Sequence, residues 1–419
     1  MAKDPRIVLH IDMNSYFASV EQQANPFLRG KALGVCAYLS PRGCIIASSV
    51  EAKEVGVTVG MRVFEAQQIH PQIVLVENDT AKYRSTTRAI FSILQNYANE
   101  LEPYSIDEAF LDLTGQVNDL SQAKSIAQEI QDRIKDEVGE WLCSSIGISS
   151  TRWLAKFASD ITDNDNILIL KKEDLPAIYD SVELTDAWGI NTALEQRLNH
   201  LGIKNLNNLK DYPPSNLMQS MGKMGYYLWA NVNGIELGGV NKPPAPKTIG
   251  HSYSLPKRTT DRGYHQNILM KLCERVGRRM RTNGLEARGI SLYVGRRGAD
   301  GFHKSRRVFH VLYDGWEIYS AANKIFKEAS GKYSVTMLAV AVFRLQPYSG
   351  QLELFQRRRE PRRLVKAMDK VNSKYGEFTV IRGRMWDTGD NAKERVGYRK
   401  TVSMRDLFKP PELEIKNEE

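Results

Sequence analysis

The sequence predicts an α+β protein built on two βαββαβ units, one assembled within residues 1–163 and one at 248–347. Three observations predict it. Segments with strand and helix periodicity follow one another in the same order twice along the chain. Between the two runs lies Val240-Asn241-Lys242-Pro243-Pro244-Ala245-Pro246-Lys247, which is Pro-rich, basic and poor in apolar residues and so reads as an extended linker. Charge changes sign across that linker: residues 1–239 carry a net −9, residues 240–350 a net +13 and residues 351–419 a net +5.

Each element has its own signal. Residues 6–12 (RIVLHID) alternate like a half-buried strand, and Asn14-Ser15 offer caps for a helix to about residue 23. Residues 32–37 and 43–47 read as strands joined by a turn at Pro41-Arg42-Gly43, with short helices after them. A long helix is expected over 80–99, strands over 101–105 and 109–114, a helix over 121–136 and a strand over 144–149. With the first strand, this is the order of the ferredoxin-like split βαβ, and residues 16–78 become an insertion after its first strand. Residues 164–238 read as mostly short helices. Beyond the linker, 250–255, 266–281, 289–295, 302–311, 317–329 and 335–343 again run βαββαβ. The tail from 348 is charged, with one helix expected at 363–375 and disorder at 412–419.

Composition narrows the function classes. A chain of 419 residues is too long for one ordinary core, and 42% hydrophobic with 26% charged residues fits a globular protein. No apolar run approaches the roughly 18 residues of a membrane span, and the N-terminus lacks the apolar core of a signal peptide, so a cytoplasmic location is expected. Cys36, Cys44, Cys143 and Cys273 form no CxxC pair and no zinc spacing, which fits a reducing compartment. A basic module on an acidic body points to nucleic acid as the partner.

The strongest chemical signal is Asp12 at the end of the first strand together with Asp107-Glu108 at a tight turn between two later strands. In a βαββαβ sheet the first and third strands lie side by side, and if antiparallel they bring these ends together. Three carboxylates on one sheet edge need raised pKa values or a cation. Hard Mg²⁺ is the natural oxygen-ligand partner, with Mn²⁺ as the alternative, and two such ions about 4 Å apart would clamp a phosphoryl transfer.

Three motifs carry a family resemblance. His10-Ile11-Asp12-Met13-Asn14-Ser15-Tyr16-Phe17-Ala18-Ser19-Val20-Glu21 resembles the first motif of Y-family DNA polymerases, Tyr104-Ser105-Ile106-Asp107-Glu108-Ala109 their SIDEA motif, and Gly147-Ile148-Ser149 with Leu154-Ala155-Lys156-Phe157-Ala158-Ser159 their GIS…LAK-xAS motif. The resemblance implies a right hand: palm at 1–15 and 79–163, fingers at 16–78, a helical thumb at 164–238, a linker at 239–247, a little finger at 248–347 and a tail at 348–419. It implies a template-directed translesion polymerase adding dNTPs to a primer on damaged DNA, low in fidelity, active as a monomer, with SOS accessory proteins as further partners. It implies that Asp12, Asp107, Glu108 and the Met13 carbonyl hold two Mg²⁺ ions, that Tyr16 and Phe17 face the nucleotide with Phe17 as the steric gate against a 2′-hydroxyl, and that Lys53 and Lys156 meet the triphosphate. Val50 and Lys53 stand where DinB-like members commonly carry Tyr and Arg, and Asp163-Asn164-Asp165-Asn166 replaces their Lys-Pro-Asn-Gly. Val50 followed by Glu51-Ala52-Lys53, and Asn14 in place of Asp, resemble the UmuC branch.

DNA contacts are expected at helix-hairpin-helix turns, with Gly189, Asn191 and Lys223 offering donors to phosphates, and on the little finger at Arg296, Arg297, Arg306 and Arg307, with Arg275, Arg278, Arg279, Arg281, Arg288 and Lys304 nearby. Gln351-Leu352-Glu353-Leu354-Phe355 resembles the bacterial sliding-clamp pentapeptide, with Gln351, Leu352, Leu354 and Phe355 as its anchors. Two rivals are a nucleotidyl cyclase, which leaves the basic module unexplained, and a non-catalytic scaffold that binds DNA and clamp.

Overall fold

The computed structural model describes residues 6–240, 246–256, 258–329, 331, 333–349, 356–389 and 391–392, of which 356–361 as helix only. The pentapeptide at 351–355, linker residues 241–245 and the end at 412–419 lie outside the described residues. The chain divides into two compact units near residue 243.

The strands of the first unit are β1 (Val8–Met13), β2 (Leu33–Cys36), β3 (Ile45–Ser48), β4 (Val74–Glu77), β5 (Glu100–Pro103), β6 (Glu108–Asp112), β7 (Ser144–Ser149) and β8 (Ile167–Ile169). Its helices are α1 (Tyr16–Ala24), α2 (Val50–Glu54), α3 (Val63–Ile69), α4 (Thr80–Leu94), α5 (Leu120–Glu137), α6 (Arg152–Ile161), α7 (Leu175–Ser181), α8 (Thr192–His200), α9 (Leu206–Asp211), α10 (Pro214–Met221) and α11 (Lys223–Val232). The main sheet has the order β5-β6-β1-β7-β8. Of these, β1, β5, β6 and β7 are the expected ferredoxin-like set, with β1 between β6 and β7 and antiparallel to both. The half-buried alternation expected of a strand does not hold at the centre of this sheet. Every residue of β7 is buried, because α6 covers one face and α5 lies on the other.

Side-chain caps start the helices where the sequence turns polar. Asp79 accepts from Ala81 and Lys82 at the start of α4, Asp119 from Gln122 at α5, and Thr151 from Leu154 at α6. The start of α1 departs from expectation: neither Asn14 nor Ser15 caps it by side chain, and Ser15 sits in the left-handed region at φ 49°. The insertion after β1 is a small sheet of order β3-β2-β4. The sequence reading missed β4, a four-residue apolar run too short to separate strand from helix by period. It likewise missed β8, which adds parallel to β7 from within the stretch read as helical. The remaining helices, α7 to α11, close around Leu198, Leu206, Leu209, Leu217 and Leu228.

The second unit contains β9 (Thr248–Ser254), α12 (Arg262–Thr282), β10 (Leu285–Arg296), β11 (Phe302–Leu312), α13 (Gly315–Glu328), β12 (Val335–Pro347) and α14 (Gln356–Tyr375). The order of elements is the expected βαββαβ, but the strand order is β11-β10-β12-β9, so the first strand pairs with the fourth at an edge rather than with the third at the centre. Composition explains the placement. The central strands β10 and β12 carry the long apolar runs, whereas edge strand β11 carries Lys304, Arg306 and Arg307, charges that protect an open edge. Helix α14 and a short 3₁₀ turn at Gly383–Thr388 follow, longer in sum than the one tail helix expected. No helix among the described residues is long and apolar enough to cross a membrane.

Candidate active site

Backbone pairing draws the three carboxylates together. β1 and β6 run antiparallel with Asp12 opposite Glu108, and the Met13 amide donates to the Asp107 carbonyl at 3.0 Å. The turn before β6 is closed by the Tyr104 and Ser105 amides, both donating to the Glu108 carbonyl, and Thr87 of α4 donates to the Ile106 carbonyl at 2.7 Å. Burial and the neighbouring Asp107 raise the Asp12 carboxyl well above the usual range, and burial raises Asp107 as well. Glu108 goes the other way: burial would raise it, but the close approach of His10 and the Lys156 charge outweigh that and bring it to about 2.

Beneath the carboxylates lies an anchor that the sequence did not reveal. Lys156 Nζ reaches Glu108 Oε2 at 2.8 Å, Asp160 Oδ1 at 3.1 Å and Asp12 Oδ2 at 3.9 Å. His10, fully buried, sets Nε2 3.3 Å from the same Glu108 oxygen and Nδ1 2.6 Å from Ser159 Oγ. Burial pushes the His10 imidazole down to about 4. Glycine makes this possible: a Cβ at Gly147 on β7 would sit 2.0 Å from the Ala155 carbonyl oxygen, so only glycine lets α6 pack closely enough to place Lys156 there. Lys156 was expected at a triphosphate; its ammonium instead faces carboxylates. His10 and Ser159 stood in the quoted motifs, but nothing local marked them as partners across 149 residues of chain. Arg152 was missed too. It pairs with Glu102 at 2.6 Å and lies 4.1 Å over the Phe110 ring, pinning α6 to β5 and β6.

Tyr16 and Phe17 open α1 beside this site. Tyr16 is buried, with its hydroxyl donating to the Tyr83 carbonyl at 2.9 Å and 2.8 Å from Thr87 Oγ1. Phe17 stacks on Tyr83 at 4.4 Å with 19° between the rings, 9% exposed. Val50 and Lys53 are exposed on α2, whose N-cap is Ser49. The sequence departure at 163–166 gains a physical account. Asn14 Oδ1 accepts from the Asp165 amide at 2.9 Å while its Nδ2 donates to Ser145 Oγ at 2.8 Å. Ser145 Oγ in turn donates to the Asp163 carbonyl, and Lys135 pairs with Asp165 at 2.5 Å. An aspartate at 14 could still accept from the Asp165 amide but would have no Nδ2 to donate to Ser145 Oγ, so Asn14 ties this loop to β7.

The expected DNA residues divide. In the first unit, Gly189 takes φ +99° in the turn before α8, Asn191 spends its side chain capping α8, and Lys223 is exposed at the start of α11. In the second, Arg307 and His303 pair with Gly289 and Tyr293 on the open face of the sheet. Lys304 and Arg306 pair with the buried Leu292 and Ile290, so they lie on the helix side, and both reach Glu328. Arg296 stacks on Tyr333 at 4.4 Å, and Arg297 is exposed. The α12 arginines named as phosphate contacts are engaged within the unit: Arg275 pairs with Glu377 at 2.5 Å, Arg281 with Asp369 at 2.7 Å, Arg278 donates to Ser373 and Arg279 to the Gly250 carbonyl.

Residues 11–160 match the impB/mucB/samB family, and residues 246–354 match the C-terminal domain of that family. The chain is 31% identical over 395 residues to DNA polymerase IV of Pelotomaculum thermopropionicum, covering 93% of this chain and 98% of that protein. It is 30% identical over 406 residues to DNA polymerase IV 2 of Bacillus subtilis, covering 93% and 97%. Among solved structures, a Y-family DNA polymerase chimera of Dbh and Dpo4 superposes with a TM-score of 0.73 over 81% of this chain and 98% of that one, at 24% identity, a likeness of fold. Motifs, sheet topology and full-length relatives agree, and the chain belongs to the impB/mucB/samB family of Y-family DNA polymerases.

Proposed function

We propose that this chain is a template-directed DNA polymerase that extends a primer 3′ end with dNTPs and serves translesion synthesis. The observation that carries the reading is the pairing of Asp12 with Glu108 across β1 and β6, with Asp107 hydrogen-bonded to Met13 beside them. Full-length relatives named DNA polymerase IV support it. All three carboxylates are in place, which disfavours the scaffold alternative.

The donor set suits a hard divalent cation. Two carboxyls raised by burial and by neighbouring carboxylates, Asp107 beside Asp12 and Glu108 beside Asp107, are relieved by positive charge, and oxygen is the ligand Mg²⁺ prefers. Among the described residues no three His, Cys, Asp or Glu side chains are already drawn together as a ligand set, and Glu108 Oε2 is turned to Lys156 and His10. Asp12, Asp107, Glu108 and the Met13 carbonyl are the residues that would hold two Mg²⁺ ions, with Mn²⁺ able to replace them. Such ions supply charge stabilisation as the primer 3′-oxygen bonds to the α-phosphorus and pyrophosphate leaves. Phe17, held by Tyr83, blocks a ribose 2′-hydroxyl. Tyr16 fixes the start of α1, and exposed Lys53 offers its charge to the triphosphate without the two-pronged fork of arginine.

Within this reading the palm is 1–15 and 79–163 with β8 added, the fingers 16–78, the thumb 164–238, the linker 239–247, the little finger 248–347 and the tail 348–419. Primed template DNA is held by backbone donors near Gly189 and Lys223 and by Arg297 and Arg307. The pentapeptide at 351–355 would dock on a bacterial sliding clamp, with SOS accessory proteins as further partners of a monomeric, cytoplasmic enzyme. Asn14 and Val50-Glu51-Ala52-Lys53 keep the lean toward the UmuC branch. The test is primer extension on undamaged and lesion-bearing templates with Mg²⁺ and with EDTA. Mg²⁺-dependent extension past a lesion is expected; no extension on any template would overturn the reading.

A further inference from the structure

A buried lysine among carboxylates of a candidate metal site has a choice of roles. Lys156 lies on α6, 7% exposed, with its neighbours Leu154, Ala155, Phe157 and Ala158 fully buried. Close packing of α6 at Gly147 fixes the helix, so the ammonium is held where the fold puts it. Its three near partners are all anionic: Glu108 at 2.8 Å, Asp160 at 3.1 Å and Asp12 at 3.9 Å. The shortest contact to each site carboxylate is to Oε2 of Glu108 and to Oδ2 of Asp12. His10 Nε2 lies 3.3 Å from the same Oε2, from a fully buried position.

We propose that Lys156 is a positioning residue that serves as a built-in counter-cation: it holds Glu108 and Asp12 oriented before any metal ion arrives, leaving each a second oxygen for the ion. This rests on the metal site proposed above. A lysine that bound triphosphate would have to leave three carboxylates, leaving like charges close together without their cation. The two roles differ in what they do to metal binding when no nucleotide is present. A fixed positive charge a few ångströms from a cation site opposes the cation, and Asp160 draws part of that charge away.

The experiment is Mn²⁺ titration, followed by electron paramagnetic resonance, of the full chain without DNA or nucleotide, comparing wild type with Lys156→Met, Asp160→Asn and Asp107→Ala. Thermal melting with and without Mn²⁺ and the KM for dCTP are measured in parallel. Lys156→Met should bind Mn²⁺ more tightly by at least about tenfold, the order expected for removing one charge about 5 Å from a divalent ion under water-like screening. It should melt lower than wild type without metal and recover most of that loss with it. Asp160→Asn, which keeps shape at a partly exposed position, should bind Mn²⁺ several-fold more weakly, and it decides the matter if Lys156→Met does not fold. Unchanged Mn²⁺ affinity in Lys156→Met or Asp160→Asn, with Asp107→Ala abolishing binding, would overturn the role given to Lys156. A raised KM for dCTP in Lys156→Met alongside unchanged Mn²⁺ affinity would return the lysine to the triphosphate. Mn²⁺ binding left intact in Asp107→Ala would instead overturn the metal site itself.

Discussion

Gly147 shows how one missing carbon shapes the site. A methyl there would meet the Ala155 carbonyl at 2.0 Å, with the Ser159 amide also near, so α6 would have to lift from β7. Gly147→Ala should cost about 1–3 kcal/mol or more, read as a lowered Tm, and should also disturb the Lys156 anchor. Phe17 belongs to the same scale. Its ring is held against Tyr83, whose hydroxyl donates to Glu21, so the proposed gate has a fixed support. Phe17→Ala should raise rCTP incorporation relative to dCTP by at least about tenfold, the size of a lost steric exclusion of roughly 1.4 kcal/mol. Unchanged discrimination would leave Phe17 as packing. The sequence made Asp12, Asp107 and Glu108 legible because a two-residue period and an antiparallel turn suffice to pair them. It hid the lysine's partners, because Lys156, Glu108 and His10 meet only through the stacking of a helix on a sheet.

Among the elements, β11 carries the sharpest lesson. Strand alternation cannot place all of its basic residues on one face, and it sends Arg307 to the open face and Arg306 to the helix side with Glu328. Arg307→Ala should weaken DNA binding evenly across sequences and reduce the salt slope by about 1, whereas Arg306→Ala should change the slope far less. Fluorescence anisotropy across a salt series measures both. Helix α12 tells the same story: Arg275 and Arg281, nearly buried, clasp Glu377 and Asp369 of the C-terminal segment. Glu377→Ala leaves Arg275 without its carboxylate and should destabilise the second unit by about 1–3 kcal/mol, visible by calorimetry as a lower transition. Strand and helix existence was legible from periodicity. The strand order of the second unit was not, because the order of elements along a chain leaves open which strands lie together. Only the long apolar runs of β10 and β12 hinted that they are central.

For the whole molecule, the reversal of charge across residue 240 remains the main sign of where DNA is held, and part of the +13 is now accounted for by ion pairs inside the second unit. Sheet topology and register bring Asp12 opposite Glu108 at one end of β1, in the acidic unit, where the proposed chemistry lies. Repelling phosphates there is acceptable only if cations neutralise the site during turnover. The central claim is therefore that Asp12, Asp107 and Glu108 act together in metal-dependent nucleotide addition, separately from DNA binding. Single-nucleotide incorporation on a primed template with Mg²⁺, by wild type and by Asp107→Ala, tests it most directly when DNA affinity is measured on the same preparations. The account predicts that Asp107→Ala loses at least about a hundredfold in rate, the scale of removing one piece of transition-state charge stabilisation, with DNA affinity nearly unchanged. Near-wild-type incorporation by that variant would contradict it.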